Sequence, residues 1–333
     1  MRKDASFSDA QSCAIRSNWE AEKTMDYIVS ATPDRTLAAA GSISVYAFLI
    51  GFTDNFVAVI AQDAGLWQFH FIRTCMAMGI LVGVARIFGL RLRPVNLGAV
   101  AARSAIHGSA MVIYFGALAF LPVALAAAGL FTAPIFVLLI GTLAFGHRIG
   151  LVQVLAVLGG FAGVILVLGP EATSGASLAA LLPIFAGAMY ALGNIATRQW
   201  CAQESAETLL AGFFVALGFI GAFGMLWLTL WPIDVPTGAA YFLQRGPVWP
   251  NGTFWIWTLV QAAGSLLGVG LMIRGYQLTQ AGKASVLEYI ILPASAFWSY
   301  AIWGQTLGWM AWAGMALIVG AGAVIALSGR RAA

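Results

Sequence analysis

The side chains able to do chemistry are few, and most of them interrupt runs of residues too apolar for water. Asp54, Arg73, Arg103, His107 and Glu288 each sit inside such a run. An ionisable group in hydrocarbon is costly, so by default each marks a functional site or a buried pair. Asp54 lies about eight residues before one apolar run ends, and Arg73 about eight after the next begins. At about 1.5 Å per residue both reach about 12 Å below the same surface. That depth pairs them, either as a substrate or proton site or as a strut between two helices. Asn55 adjoins Asp54. Arg103 and His107 are one helical turn apart on one face, which Tyr114 extends. An imidazole at mid-membrane can exchange a proton near neutral pH, or simply bond across helices. Glu288 is expected near Arg274 as a local pair or gate. Tyr190, Asn194, Gln261 and Tyr289 are candidate partners for a polar substrate, each equally able to serve as packing. A substrate carboxylate that captured Arg73 would free Asp54 to take up a proton, which ranks Asp54 ahead of His107 for coupling.

Catalytic patterns are missing from the sequence. There is no HExxH, no GxSxG and no GxxxxGK[ST]. The three histidines are dispersed, and Cys13, Cys75 and Cys201 show no metal-ligand spacing. The expectation is a protein with no catalytic residue, no metal and no cofactor, driven by an ion gradient or by exchange rather than by ATP.

The elements that position these residues follow from composition. Of 333 residues, 61% are apolar and 9% charged, against about 25% charged in a soluble domain. The solvent for most of the chain is lipid. A net charge of +4 spread over short loops excludes a nucleic-acid surface. Residues 1–38 are dense in mixed charge and read as a cytoplasmic tail, with residues 330–333 as a short tail at the other end.

A crossing of about 30 Å needs roughly 20 apolar residues. Ten runs qualify: 40–61, 65–87, 98–119, 122–145, 149–168, 177–198, 207–231, 252–279, 284–304 and 308–327. With ten spans and the N-terminus inside, fifteen Lys/Arg fall on the cytoplasmic side and Arg245 alone on the outside. This asymmetry places both termini in the cytoplasm of a bacterial inner membrane. Glycine is abundant, and the spacings Gly159/Gly163 and Gly264/Gly268 mark close-packing helix faces, which could also serve a homodimer; the protein is read as a monomer or homodimer.

The chain repeats itself. Ala133-Pro134-Ile135, Gly146-His147 and a Gly-rich span are echoed by Leu292-Pro293-Ala294, Gly304-Gln305 and the last span. Each unit has five spans, an odd number, so residues 39–170 and 171–329 form two units inverted in the membrane. Inverted repeats accompany alternating access around a midplane site.

These residues, with Gln68-Phe69-His70-Phe71-Ile72-Arg73 and Gly159-Gly160-Phe161-Ala162-Gly163-Val164, resemble the EamA-type branch of the drug/metabolite transporter superfamily. The acid usual after the helix 4 and helix 9 glycine is replaced by His147 and Gln305. The resemblance implies an all-α, ten-helix secondary transporter for a small polar metabolite, such as an amino acid or related compound, with protons as a candidate driving ion. A channel or a structural membrane protein is the competing reading.

Overall fold

The computed structural model describes residues 35–117, 129–144, 146, 150–168, 181–233, 240–304, 306 and 308–328. Most of the expected N-terminal tail, the C-terminal tail, His147, Gln305 and the Leu121-Pro122 turn lie outside these residues. The described residues are helical, without strands. The helices are α1 (Thr36–Asp54), α2 (Val57–Asp63), α3 (Leu66–Phe88), α4 (Leu97–Ala117), α5 (Ala133–Leu143), α6 (Leu151–Leu168), α7 (Leu181–Gln199), α8 (Ala206–Leu230), the short α9 (Ala240–Gln244), α10 (Gly252–Leu278), α11 (Ala281–Glu288), α12 (Ile291–Trp303) and α13 (Trp309–Ser328). The first helix begins at Thr36, inside the segment expected to be tail.

By length and composition, five helical stretches can cross a membrane: Thr36–Asp63, Leu66–Phe88, Ala206–Leu230, Gly252–Leu278 and Ala281–Trp303. Ala133–Leu143, Leu151–Val167 and Trp309–Ile325 are shorter and apolar. α4 and α7, of 21 and 19 residues, are somewhat shorter and more polar. Their polar side chains point inward: Arg103, Ser104 and His107 on α4, and Asn194 and Thr197 on α7, are all buried. The outer surface is instead covered by Phe219, Phe223, Leu226, Trp309 and Trp312, a surface suited to lipid.

Three of the expected spans are interrupted. The first breaks between α1 and α2 at Asn55-Phe56, and the ninth between α11 and α12 at Tyr289-Ile290. The fourth breaks at Phe131-Thr132, just before α5. Proline explains two of these breaks. Pro134 and Pro293 have no N–H, so the carbonyls of Leu130 and Tyr289 lose their usual partners four residues on. Tighter bonds form beside each proline: Ile135 N–H donates to Thr132 O at 2.9 Å, and Leu292 N–H takes the freed Tyr289 O at 3.1 Å. At the first break Asn55 takes the proline's place. Its Nδ2 donates to Gly51 O at 2.7 Å, and its backbone N–H bonds Phe52 O at 3.3 Å. Irregular backbone at membrane depth is tolerated where it is buried in protein or lines a cavity.

The helices meet in a regular way. α1 packs on α10 and α12, and α7 packs on α4 and α5. α3 packs on α8 and α10, α8 also on α4, and α6 on α13. The α6–α13 crossing is backbone-close. A Cβ on Gly163 would come 2.6 Å from Gly314 O, and one on Gly314 2.5 Å from Gly163 O. Gly264 and Gly268 likewise face Thr53 and Ile50 of α1, whereas Gly159 faces open space and is no close-packing position within the chain. Gly146 and Gly304, the matched glycines of the two motifs, both have left-handed backbone, φ +62° and +65°. This is the conformation that ends helices and favours glycine.

Loop contacts seal both ends of the bundle. Glu204 accepts from the backbone N–H of Val95 at 3.0 Å and of Asn96 at 2.6 Å, capping the approach to α4. Burial pushes the nearby Cys201 thiol up to about 11, against the opposing pull of Arg103 and with a smaller push from Glu204. At the other end Gln68 exchanges two bonds with the backbone of Val248, at 2.7 and 3.0 Å. Asn251, in a glycosylation-like triplet, caps α10 through Phe254 N–H and donates to Asp63.

Candidate functional site

A cavity of about 440 Å³ lies among α1, α3, α4, α7, α10 and the α11–α12 break. Each contributing helix presents one face at helical spacing. Tyr46, Ile50 and Asp54 line it from α1; His107, Met111 and Tyr114 from α4; Glu288, Leu292, Ser295 and Ser299 from the broken span. All three helix breaks reach it, through Asn55, through Phe131 and Pro134, and through Glu288 and Ile291. Most of the wall is apolar, and the polar groups are few and convergent, as in small-molecule sites generally.

Seven of the expected candidates meet here: Asp54, Asn55, Arg73, His107, Tyr114, Tyr190 and Glu288. Four do not line the cavity. Arg103 is fully buried behind it, where its Nε donates to Thr197 Oγ1 at 3.0 Å and its Nη1 to Leu209 O at 3.3 Å. These bonds join α4 to α7 and α8, and its Nη2 is buried without a hydrogen-bond partner among the described residues. Gln261 stands behind Asp54, donating to Asp54 Oδ1 at 3.2 Å and to Thr53 O at 3.0 Å. Asn194 donates to Tyr276 at 3.0 Å. Tyr289 donates to Phe131 O at 3.2 Å, so a side chain from one proline break satisfies a carbonyl at the other.

Two expected pairings are replaced. No ion pair joins Asp54 to Arg73, although both line the cavity. Asp54 has solvent-accessible surface and is held by Gln261. The Arg73 guanidinium lies over aromatic faces instead, 5.0 Å from the Phe69 ring centroid and 5.9 Å from that of Phe214. Aromatic faces attract a cation without neutralising it. Its Nη2 is 3.4 Å from His70 Nδ1, and its buried Nε has no hydrogen-bond partner among the described residues. Equal depth does place the two charges around one cavity, but their neighbours turn them to different partners. The coupling route in which a substrate takes Arg73 away from Asp54 therefore loses its starting contact.

Glu288 does not meet Arg274, which is exposed on α10. Tyr190 and Tyr276 donate to its two carboxylate oxygens, each at 2.7 Å. Its position at a helix break, rather than at the membrane edge, follows from Pro293.

The sequence reading missed Tyr46, Tyr276, His70 and the serines 265, 285, 295 and 299. Helical spacing could have found several. Tyr46 is two turns before Asp54, and Ser295 and Ser299 follow Glu288 at intervals that keep one face. Tyr276 carried no such signal, because it reaches Glu288 across a turn.

Comparison with known proteins agrees with this architecture. Residues 38–169 match the EamA-like transporter family. The pseudopaline exporter CntI of Pseudomonas aeruginosa (strain UCBPP-PA14) is 25% identical over 279 residues, 82% of this chain and 92% of that protein. A riboflavin transporter of Brucella anthropi is 24% identical over 230 residues, 69% of this chain and 76% of that protein. A solved crystal structure superposes with a TM-score of 0.70 at 20% identity, covering 87% of this chain and 98% of its own. These matches bear out the resemblance to EamA-type drug/metabolite transporters, and the named relatives are transporters, not enzymes.

Proposed function

We propose that this chain, whose residues 38–169 are an EamA-like transporter unit, is a secondary carrier that moves a small polar metabolite across the bacterial inner membrane by alternating access. The cargo is read as an amino acid or a related compound with an anionic group. The observation that carries this reading is Arg73: a buried guanidinium on a cavity wall, in no ion pair and with an N–H without a hydrogen-bond partner among the described residues. A carboxylate or phosphate would supply the missing acceptor, and Arg is the side chain best shaped for it. Asp54 and Asn55 on the same cavity would take the cargo's ammonium or hydroxyl groups. The relatives are named for different cargoes, so they support the class of activity and leave the cargo to the cavity's chemistry.

Two inverted five-helix units account for how the helices meet. The α1–α10 contact has a counterpart in α7–α4, α1–α12 in α7–α5, and α3–α10 in α8–α4, while α3–α8 and α6–α13 would each pair a helix with its own repeat partner. Discontinuous helices at the junction of such units supply backbone groups to cargo. The Lys/Arg asymmetry supports cytoplasmic termini.

The test is a thermal-shift screen of purified protein against a metabolite library. A ligand at 100 times its Kd stabilises the fold by about 2.7 kcal/mol. True cargo should stabilise the wild type and fail to stabilise Arg73→Gln.

A further inference from the structure

We propose that Glu288, with Tyr190, Tyr276 and Asn194, forms a proton-binding site of the carrier, separate from the cargo-facing Asp54 and Arg73. The proposal rests on the carrier reading above for its purpose, but its chemistry stands on the local geometry.

Glu288 is 6% exposed, on the wall of the cavity at the end of α11. Tyr190 of α7 donates to Oε1 and Tyr276 of α10 donates to Oε2, both at 2.7 Å. One carboxylate thus ties three helices at a break in one of them. The titratable groups facing it are phenols. Tyr46 faces it from α1, Tyr190 from α7 and Tyr276 from α10, with Tyr289 next to it in sequence. His107 of α4 stacks on Tyr190, ring centroids 4.6 Å apart. Lys283 lies on its own helix, more than a turn away in sequence. The described residues of α5, α6 and α13 carry no titratable side chain.

The ligand class follows from the donors. Two phenol O–H groups aim their hydrogens at the carboxylate. A metal cation seated there would meet those hydrogens rather than lone pairs. A proton instead binds covalently to one oxygen and needs only that one phenol turn from donor to acceptor.

The structure holds a place for that turn. Asn194 Nδ2 donates to Tyr276 Oη at 3.0 Å, while Asn194 Oδ1 is buried without a hydrogen-bond partner among the described residues. The chain now runs Asn194 N–H to Tyr276 O–H to Glu288 carboxylate. When a hydronium in the cavity transfers its proton to Oε2, an O–H bond forms on Glu288 and water is left. Glu288 then donates to Tyr276, whose hydroxyl hydrogen swings to Asn194 Oδ1 once that amide rotates half a turn. The whole chain reverses, and no electrons move between groups. A buried polar atom without a partner is costly. The half-turn exchanges Oδ1 and Nδ2, so one amide atom of Asn194 lacks a partner among the described residues in either direction, and the reversal adds no further cost of that kind. Protonation also ends the charge-assisted bonds, the stronger kind, that hold α7 and α10 to the α11–α12 break.

The test uses the full chain in lipid nanodiscs and follows infrared difference spectra through an acid titration, with the proton itself as probe. The wild type should gain a protonated-carboxyl band that persists in Asp54→Asn and is lost in Glu288→Gln. A tyrosine band change should accompany it and weaken in Tyr276→Phe. If Glu288→Gln fails to fold, Tyr276→Phe and Asn194→Leu serve: each should shift the midpoint of the band. A band unchanged by Glu288→Gln, or a midpoint indifferent to both other substitutions, overturns the proposal. Because no cargo is needed, such a result leaves the carrier reading standing, whereas absent transport with the band intact overturns only the latter.

Discussion

Arg73 of α3 and Asp54 of α1 face one cavity without forming an ion pair; the guanidinium rests on Phe69, 5.0 Å from its ring centroid, and the carboxylate on Gln261. Removing one partner of a true buried pair costs roughly 3–5 kcal/mol, and removing both restores much of it. Here the two substitutions should act nearly independently. In a double-mutant cycle of Asp54→Asn and Arg73→Gln, the interaction energy from unfolding should stay below about 0.5 kcal/mol, the limit for separate sites. A coupling of several kcal/mol would mean that the charges do pair.

Transport chemistry was legible in this sequence where residue type and depth sufficed. Ionisable groups in apolar runs named four of the cavity's residues, Asp54, Arg73, His107 and Glu288; polar candidates beside them added Asn55, Tyr114 and Tyr190; and the two prolines marked two of its three breaks. Partnership was not legible. Depth along a helix says how far Asp54 and Arg73 lie from the surface but not which way each side chain turns. That depends on Phe69, Phe214 and Gln261, brought in by three different helices. Tyr276 was missed for the same reason: its link to Glu288 crosses from α10 to α11. The first break, at Asn55, had no proline to announce it.

The α6–α13 crossing depends on Gly163 and Gly314 lying backbone to backbone. A side chain at either must push two helices apart. Overpacking typically costs about 1–3 kcal/mol, and backbone cannot yield as a side chain does. Gly163→Leu should cost at least that much, read as a lower melting temperature in detergent. Gly159→Ala, which faces open space, should be neutral. Equal effects would remove the close crossing from the account.

Glu204 holds two backbone N–H groups ahead of α4. Hydrogen bonds to a charged group contribute about 1.5–3 kcal/mol each when lost unsatisfied. Glu204→Ala should therefore destabilise the protein by about 1–3 kcal/mol, some of the loss being recovered by water. Denaturant unfolding measures it, and an unchanged midpoint would show that the cap contributes nothing.

Cys201 is buried in the loop after α7, and burial pushes its thiol up to about 11. The thiolate is the reactive form. In a chain with Cys13 and Cys75 replaced by serine, a water-soluble maleimide should leave Cys201 unlabelled at neutral pH. Labelling should rise as the pH approaches that value and become complete after denaturation. Rapid labelling of the folded protein at neutral pH would contradict the buried placement.

The central claim is that the cavity binds a small anionic metabolite through Arg73 and carries it across the membrane. Counterflow measures this directly. Proteoliposomes are loaded with an unlabelled metabolite that stabilises the wild type but not Arg73→Gln, then given a trace of the labelled form outside. A carrier should concentrate label transiently inside, above its external level, and Arg73→Gln should abolish that overshoot. Label that only equilibrates without overshoot, or an overshoot undiminished in Arg73→Gln, would contradict the account.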